Sequence, residues 1–252
     1  MCLTGRLLGT LYALIDGMTK TSVFWILLLS APVFGADALE SETSLGVAVT
    51  TGNSRSSTVH LSQLTGQEWG KNRIRATGRY LRSSQSDLES AKSWGLGLRY
   101  DRRLEDRLSI FGAQTLESDR FAAYLQRYNT DVGAGILIYQ WDQITWEGEG
   151  GYRYMFENRL DESQIDYHSL RMASQVLASF NPRVTGRLWL EFMPNLTVAE
   201  NWLLNAEASL ISSMSERLSL RLGYGIRFDH QPNPGARQTT DTVFTTSLVA
   251  QW

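Results

Sequence analysis

The stretch Arg217-Leu218-Ser219-Leu220-Arg221-Leu222-Gly223-Tyr224-Gly225-Ile226-Arg227-Phe228-Asp229 alternates polar and apolar residues without interruption. Its even positions carry Leu, Leu, Leu, Tyr, Ile and Phe, while its odd positions carry Arg, Ser, Gly and Asp. Period two places the two sets on opposite faces of a β-strand, whereas a helix would scatter them around its circumference. Strands of soluble proteins usually run about five or six residues, and strands that cross a bilayer need about 9–11. This stretch therefore predicts a membrane-crossing strand.

The same alternation recurs along the chain, most clearly at 93–101 and 144–156. Glycine is frequent (21) and proline scarce (5), which favours sheet because proline cannot donate to a strand ladder. The pattern predicts about twelve strands, near 43–51, 57–65, 71–82, 92–101, 107–117, 129–139, 144–156, 166–180, 185–193, 202–212, 217–229 and 241–252. Only a closed barrel satisfies every backbone group in lipid without helices. The predicted fold is an all-β, transmembrane, antiparallel up-and-down β-barrel of about twelve strands.

Connection lengths point to the same architecture. Short gaps are expected at 102–106, 140–143, 181–184 and 213–216, and longer polar gaps at 83–91, 118–128, 157–165, 194–201 and 230–240. Bacterial outer-membrane barrels have an even number of strands, short periplasmic turns and long external loops. We therefore expect both chain termini at the periplasmic end. The gaps at 52–56 and 66–70 follow the alternation less well.

The amino terminus has the pattern of an export signal. Lys20 precedes the apolar run 23–34, and small residues follow, with possible cleavage after Gly35 or after Ala38. The run is shorter than the roughly 20 residues that a spanning helix needs. We assign 1–38 to a signal-peptide region, with Met18 as an alternative translation start, and 39–252 to the barrel.

Charged residues occupy the same alternate positions as the other polar residues of their strands, which predicts that they face the lumen. They are Arg73, Arg75, Arg79, Arg99, Glu147, Glu149, Arg153, Arg171, Arg187, Glu191, Glu207, Arg217, Arg221 and Arg227. Two interpretations stay open. An excess of arginine could line a narrow pathway that prefers anions, or the glutamates could neutralise the arginines and fill the interior as a packed polar core. A formal net charge of −2, with no block of like charge, argues against a nucleic-acid partner.

The carboxyl terminus carries a candidate assembly signal. Phe244, Leu248 and Trp252 share one face of the last predicted strand, and the chain ends on an aromatic residue. This pattern resembles the terminal signal that the outer-membrane assembly machinery recognises, so we expect that machinery as a partner.

The chain also resembles a known bacterial family. The resemblance rests on Gly46, 50–53, 99–101, 117–121, 133–135, 150–153, 232–235 and 240–242, in that order. It is similar to the domain-of-unknown-function family of salt-induced outer-membrane proteins, the YdiY-like proteins, and spans 42–252. The resemblance implies an outer-membrane barrel with no settled biochemical activity.

The expected external loops contain acids that could bind Ca²⁺ or reach lipopolysaccharide through divalent ions, although a solvated loop is the simpler interpretation. They are Asp87, Glu89, Glu117, Asp119, Glu157, Asp161, Glu162 and Asp166. Asp119 belongs to the family-like motif, and we expect it to anchor its loop by pairing with an inward-facing arginine. No metal site or cofactor is predicted. Outer-membrane lipid and lipopolysaccharide are the expected surroundings.

A lipid-modifying enzyme is the remaining alternative, because some outer-membrane barrels use His with Ser. The chain has His60, His168 and His230. His168 and Ser169 are adjacent on a strand and point to opposite faces, so they cannot act as a pair. The prediction is a protein that is not an enzyme.

Overall fold

The computed structural model describes residues 38–50, 56–85, 88–232 and 239–252. The predicted signal-peptide region lies outside the described residues, except for Ala38, which begins the first strand. No helix among the described residues is long and apolar enough to span a bilayer.

The described chain is an all-β, closed, twelve-stranded transmembrane barrel, which confirms the predicted fold. Each strand pairs antiparallel with its neighbours in sequence, and the first strand pairs with the last. The strands are β1 (Ala38–Thr50), β2 (Ser56–Trp69), β3 (Asn72–Gln85), β4 (Leu88–Arg103), β5 (Leu108–Asp119), β6 (Tyr124–Trp141), β7 (Ile144–Arg159), β8 (Gln164–Asn181), β9 (Val184–Pro194), β10 (Trp202–Ser213), β11 (Leu218–Asp229) and β12 (Thr240–Gln251).

Both ends of the barrel chain lie at one rim, which we call the terminal end. Ala38 pairs with Glu68, and Ser41 and Trp252 exchange backbone hydrogen bonds of 3.0 and 3.1 Å. The connections at this rim comprise 70–71, 104–107, 142–143, 182–183 and 214–217. Gly70 and Asp142 have positive φ angles of 57° and 46°, which the tight two-residue hairpins require.

The opposite rim, which we call the loop end, corrects part of the expected loop pattern. β3 ends at Gln85 and β4 begins at Leu88, so two residues connect them where 83–91 was expected to be a long loop. The strands continue past the expected boundaries, and 120–123 and 160–163 are also short connections. Long connections remain at 195–201 and 230–239. Alternation by length therefore holds less strictly than the sequence predicted, because the strands extend beyond the apolar segments.

Opposite faces of the wall differ in chemistry. The residues that face outward include exposed large apolar side chains such as Val132 and Leu188, 54% and 60% exposed. Arg99 on β4 contacts Glu149 on β7, and because these strands are not neighbours the contact must cross the interior. An outward apolar face with inward charges is the pattern of a transmembrane barrel.

Aromatic side chains gather on the outward face near both rims. Ring contacts include Trp69–Tyr100 at the terminal end, 6.4 Å between centroids, and Tyr128–Phe156 at the loop end, 6.2 Å. Aromatic rings favour the interfaces of a bilayer because they combine an apolar body with a polar edge. These two levels mark the limits of the membrane-embedded wall.

Candidate functional site: the barrel lumen

Thirteen of the fourteen predicted lumen charges lie on strands and face inward, as the pairing registers place them on one continuous face. They are Arg73, Arg75, Arg79, Arg99, Glu147, Glu149, Arg153, Arg171, Arg187, Glu191, Glu207, Arg221 and Arg227. Arg217 is the exception, because it is exposed and lies outside the strands. It lies in the 214–217 turn, because the β10–β11 hairpin closes there and β11 begins only at Leu218.

Eight inward charges form one connected network, which we call the ion-pair belt. It consists of Arg75, Asp101, Arg99, Glu149, Arg171, Glu191, Arg153 and Asp131, in the order of their contacts. The successive N···O distances are 3.2, 2.7, 2.7, 2.7, 2.6, 3.5 and 2.6 Å. Four cations meet four carboxylates, so the belt as a whole is neutral.

Part of the belt is shielded from solvent. Arg171, Glu191 and Asp131 are 7%, 4% and 5% exposed. Glu191 accepts a further hydrogen bond of 2.9 Å from the Asn205 amide on β10. Charges removed from water are stable only when they are paired and hydrogen-bonded, and each of these carboxylates is. The belt is therefore an ordered polar structure rather than a set of solvated side chains.

Phe111 supports the contact between Arg99 and Glu149. The Arg99 guanidinium lies 4.1 Å from the Phe111 ring centroid, and the ring is buried. The tip of the ring lies against Gly133, where an added Cβ would come within 2.7 Å of Phe111 Cζ. The missing side chain at Gly133 leaves the space that the ring fills. Aromatic and cationic groups thus occupy the β5–β6 sector of the lumen.

A second cluster of inward charges lies nearer the loop end. Arg127 donates to Glu157 at 2.7 Å, Arg159 donates to the same carboxylate at 3.1 Å, and Glu157 is buried. Arg127 also lies 3.9 Å from the Tyr124 ring centroid. Glu117 joins this region through Arg79 and through the Asn129 amide, the latter at 3.0 Å. These contacts link inward side chains of β3, β5, β6 and β7 on the loop side of the belt.

A cavity of about 880 Å³ lies between the terminal end and the belt. Its lining extends from the hairpin residues Gly70 and Lys71, through Arg103 and Arg107, to the belt residue Arg171. Ten Lys or Arg and seven Asp or Glu side chains line it, so its walls carry an excess of positive charge. The cavity therefore extends from the hairpins of the terminal end to the charged side chains of the ion-pair belt.

Several acids of this site were not singled out from the sequence. Asp101 and Asp131 belong to the belt, while Glu117 and Glu157 were assigned to loops. Asp101 alternates with Arg99 and Asp131 alternates with Gly133, and both lie within predicted strands, so the period of two already places both inward.

The comparisons with known proteins fit this geometry. The family described as "Protein of unknown function, DUF481" matches residues 43–252. The chain belongs to this family. An Escherichia coli (strain K12) relative, described as "Uncharacterized protein YdiY", is 24% identical over 250 residues, covering 96% of this chain and 94% of the relative. The resemblance found in the sequence is thereby confirmed.

Two solved structures share the fold of this DUF481 chain. The NanC porin has 10% identity and a TM-score of 0.50, covering 84% of this chain and 98% of the porin. An outer membrane channel from Pseudomonas putida F1 has 9% identity and a TM-score of 0.53, covering 88% of this chain and 98% of the channel. At these identities the likeness concerns the fold.

The arginines of the 217–229 stretch that were predicted to face the lumen do not form a continuous positive wall. Arg217 lies in a turn, and Arg221 pairs with Glu42 at 2.7 Å. Arg227 enters none of the ion pairs formed among the described residues. Arg187 pairs with Glu207 at 2.8 Å. Much of the inward positive charge is thus neutralised by carboxylates. The sequence alone allowed either this pairing or an excess of unpaired arginine.

Asp119 anchors its connection by a different contact from the one expected. Its Oδ1 accepts backbone hydrogen bonds from Phe121 and Ala122, at 3.0 and 3.2 Å. A carboxylate that caps a turn in this way satisfies N–H groups that the ladder has left unpaired. The expected pairing with an inward arginine is replaced by these backbone contacts.

The other expected loop acids are dispersed. Glu89, Glu117, Glu157 and Asp166 lie on strands, Asp161 and Glu162 lie in the 160–163 connection, and Asp87 lies outside the described residues. In the 160–163 connection, hydrogen bonds from the Ser163 hydroxyl and backbone N–H hold the pKa of the Asp161 carboxyl below its usual range. Within the described part of the chain, no three His, Cys, Asp or Glu side chains group closely enough to hold a metal ion.

The histidines nearest the loop end make contacts other than catalytic pairs. His168 faces outward and bonds to the Tyr152 hydroxyl, while the adjacent Ser169 is buried on the inward face. His230 Nδ1 lies 2.6 Å from the Glu200 carbonyl oxygen, and its ring stacks on Trp202 at 5.1 Å.

The carboxyl-terminal residues lie at the closure of the barrel. Phe244, Leu248 and Trp252 all face outward and are exposed. β1 and β12 share four registered pairs, Glu42–Leu45 with Leu248–Gln251, next to the Ser41–Trp252 pair. Trp252 therefore contributes backbone contacts to the shortest ladder described in the barrel.

Proposed function

We propose that this protein is an outer-membrane β-barrel that forms a narrow, weakly anion-preferring solute pathway, with its terminal end toward the periplasm. The observation that carries the proposal is the cavity of about 880 Å³, whose lining has more Lys and Arg than Asp and Glu. The similarity of fold to proteins described as a porin and an outer membrane channel is consistent with it.

Two parts of the lumen have separate roles in this proposal. Cations at the mouth, such as Arg103 and Arg107, raise the local concentration of anions in a water-filled cavity with low-dielectric walls. The neutral ion-pair belt sets the width of the constriction, with the Arg99–Glu149 contact crossing between non-neighbouring strands. Charge preference then arises at the mouth, and resistance arises at the belt.

Planar-bilayer conductance of purified, folded barrel tests the pathway. The wild type should give steady openings whose reversal potential shows anion preference. Arg99→Ala combined with Glu149→Ala removes one positive and one negative charge, so it should raise conductance with little change in preference. The matched control is Arg221→Ala with Glu42→Ala, an inward ion pair that does not line the cavity.

A second pair of variants tests the charge assignment. Arg103→Gln with Arg107→Gln should weaken the anion preference while single-channel openings persist. The readout is the reversal potential at low salt, where the charges at the mouth are least screened. The Debye length is about 10 Å at 0.1 M and becomes shorter as the salt concentration rises. An unchanged reversal potential in this variant would contradict the proposed role of the mouth.

The second candidate is a non-conducting barrel that acts through its loop-end surface. The burial of Arg171, Glu191 and Asp131 in the belt favours it, because desolvated ion pairs resemble a packed core. Silence from wild type and from the Arg99 and Glu149 variant, with folding shown by heat-modifiable migration on a gel, would reject the pathway and leave this candidate.

A further inference from the structure

The outward face carries a cluster of cations at one place on its wall. Among the described strand residues nearer the loop end, Arg82 and Lys92 are the two Lys or Arg that face outward, and they oppose each other across β3 and β4. An outward Arg or Lys costs about 2–4 kcal/mol at the bilayer midplane but about 0–1 near the interface. Their position close to the rim therefore places them at the level of lipid headgroups.

The cluster retains positive charge after its internal pairing. Glu89 lies 3.1 Å from Arg82 and 3.5 Å from Lys92, so one carboxylate serves two cations. Arg120, in the β5–β6 connection, is exposed and adjoins Lys92, whose carbonyl oxygen lies 3.4 Å from the Arg120 backbone nitrogen. Glu162 and Arg159 also line the groove described next.

A groove of about 570 Å³ runs along the outer wall beside these cations. Its lining includes Lys92, Trp94 and Arg120, together with Gln126, Asn158 and Gln164, whose side chains carry amides. Trp94 faces outward beside Tyr80, its register partner on β3. The groove thus offers cations for a phosphate, amides for hydroxyl or phosphate oxygens, and an aromatic surface beside lipid.

We propose that this groove binds the phosphorylated headgroup of an outer-leaflet glycolipid, the lipid moiety of lipopolysaccharide. Lys92 and Arg120 would contact a phosphate through charge-assisted hydrogen bonds, and the three amides would contact sugar hydroxyls. The site needs the loop end to face the outer leaflet, but it does not depend on whether the lumen conducts. A test of lipid binding at this groove can therefore fail or succeed independently of the conductance experiment.

Native mass spectrometry of the folded barrel in detergent tests this site. The probes are lipid A that carries both phosphates, the same lipid A after removal of its phosphates, and phosphatidylglycerol. Lys92→Gln with Arg120→Gln should weaken binding of phosphorylated lipid A by roughly 25-fold, at about fivefold for each cation near a membrane surface. The charge-retaining variant Lys92→Arg with Arg120→Lys should restore most of the affinity.

The control removes two arginines at the opposite rim, Arg102→Gln with Arg183→Gln, and should leave binding unchanged. Folding of every variant is checked by heat-modifiable migration. Equal binding of phosphorylated and dephosphorylated lipid A, or wild-type affinity in the Lys92 and Arg120 variant, would overturn the proposal. Equal affinity for phosphatidylglycerol would also overturn it, since the groove would then bind any anionic headgroup.

Discussion

Gly133 lies where β6 and β7 approach too closely for any side chain. A Cβ added there would lie 2.5 Å from the Gly150 carbonyl oxygen, 2.7 Å from Phe111 Cζ and 2.9 Å from Gly151 Cα. Two of these three atoms belong to backbone, so a rotamer change in Phe111 cannot relieve the clash. Gly133→Ala must therefore separate the two strands or displace the ring that supports Arg99.

The expected cost follows from two opposing effects. Overpacking costs typically about 1–3 kcal/mol, whereas replacing Gly by Ala at an unstrained position stabilises by about 0.4–1 kcal/mol through the unfolded state. We expect Gly133→Ala to lower the free energy of unfolding by roughly 1–2 kcal/mol. Gly112→Ala and Gly150→Ala are matched controls, because an added Cβ at either position has no neighbour within 4 Å.

Tryptophan fluorescence during urea unfolding of the barrel in lipid vesicles measures the difference. The controls should equal or exceed the stability of the wild type, and Gly133→Ala should unfold at lower urea. A Gly133→Ala midpoint at or above that of the wild type would refute the close approach of β6 and β7, and with it the packing that supports the ion-pair belt.

Two further predictions concern the closure of the barrel and the belt. Deleting Trp252 removes two backbone hydrogen bonds to Ser41 from the short β1–β12 ladder. The yield of folded protein in the outer membrane should therefore fall further than in Trp252→Ser, which keeps the backbone. Export should stay intact in both variants, and a normal folded yield after the deletion would count against this prediction. Glu191→Gln should lower the free energy of unfolding in urea by about 3 kcal/mol, which is the low end for breaking a buried ion pair. The low end is expected because Arg171 and Arg153 each keep a second carboxylate partner. Glu147→Gln, an exposed inward control, should change stability by less than about 0.5 kcal/mol, and equal losses in the two variants would contradict the assignment.

The fold could be predicted because lipid imposes a strict period of two. The stretch 217–229 was placed within one residue of β11, and 144–156 within β7. The segment 83–91 was instead expected to be a loop, although β3 and β4 leave two residues between them. Beyond the bilayer a strand no longer needs an apolar face, so hydrogen-bonded pairing continues where the apolar alternation has ended.

For the candidate site, the sequence could predict which residues face the lumen, but not which of them contact each other. Parity placed Arg99 and Glu149 inward, but it could not show that they meet across three strand steps. That contact depends on the diameter and stagger of the closed barrel, which arise from all twelve strands together. For the same reason the sequence could not tell whether the arginines of β11 are neutralised, since Glu42, the partner of Arg221, lies at the other end of the chain.

Because the belt is neutral, the width of the proposed pathway and its anion preference depend on different residues. A wall of unpaired arginines would make one structure responsible for both width and anion preference. Four cations matched by four carboxylates leave the belt with no net charge to select an ion. Salt screens exposed charges such as Arg103 far more than buried pairs such as Arg171–Glu191. Under the proposed pathway, raising the salt concentration should therefore abolish anion preference while the constriction keeps its width.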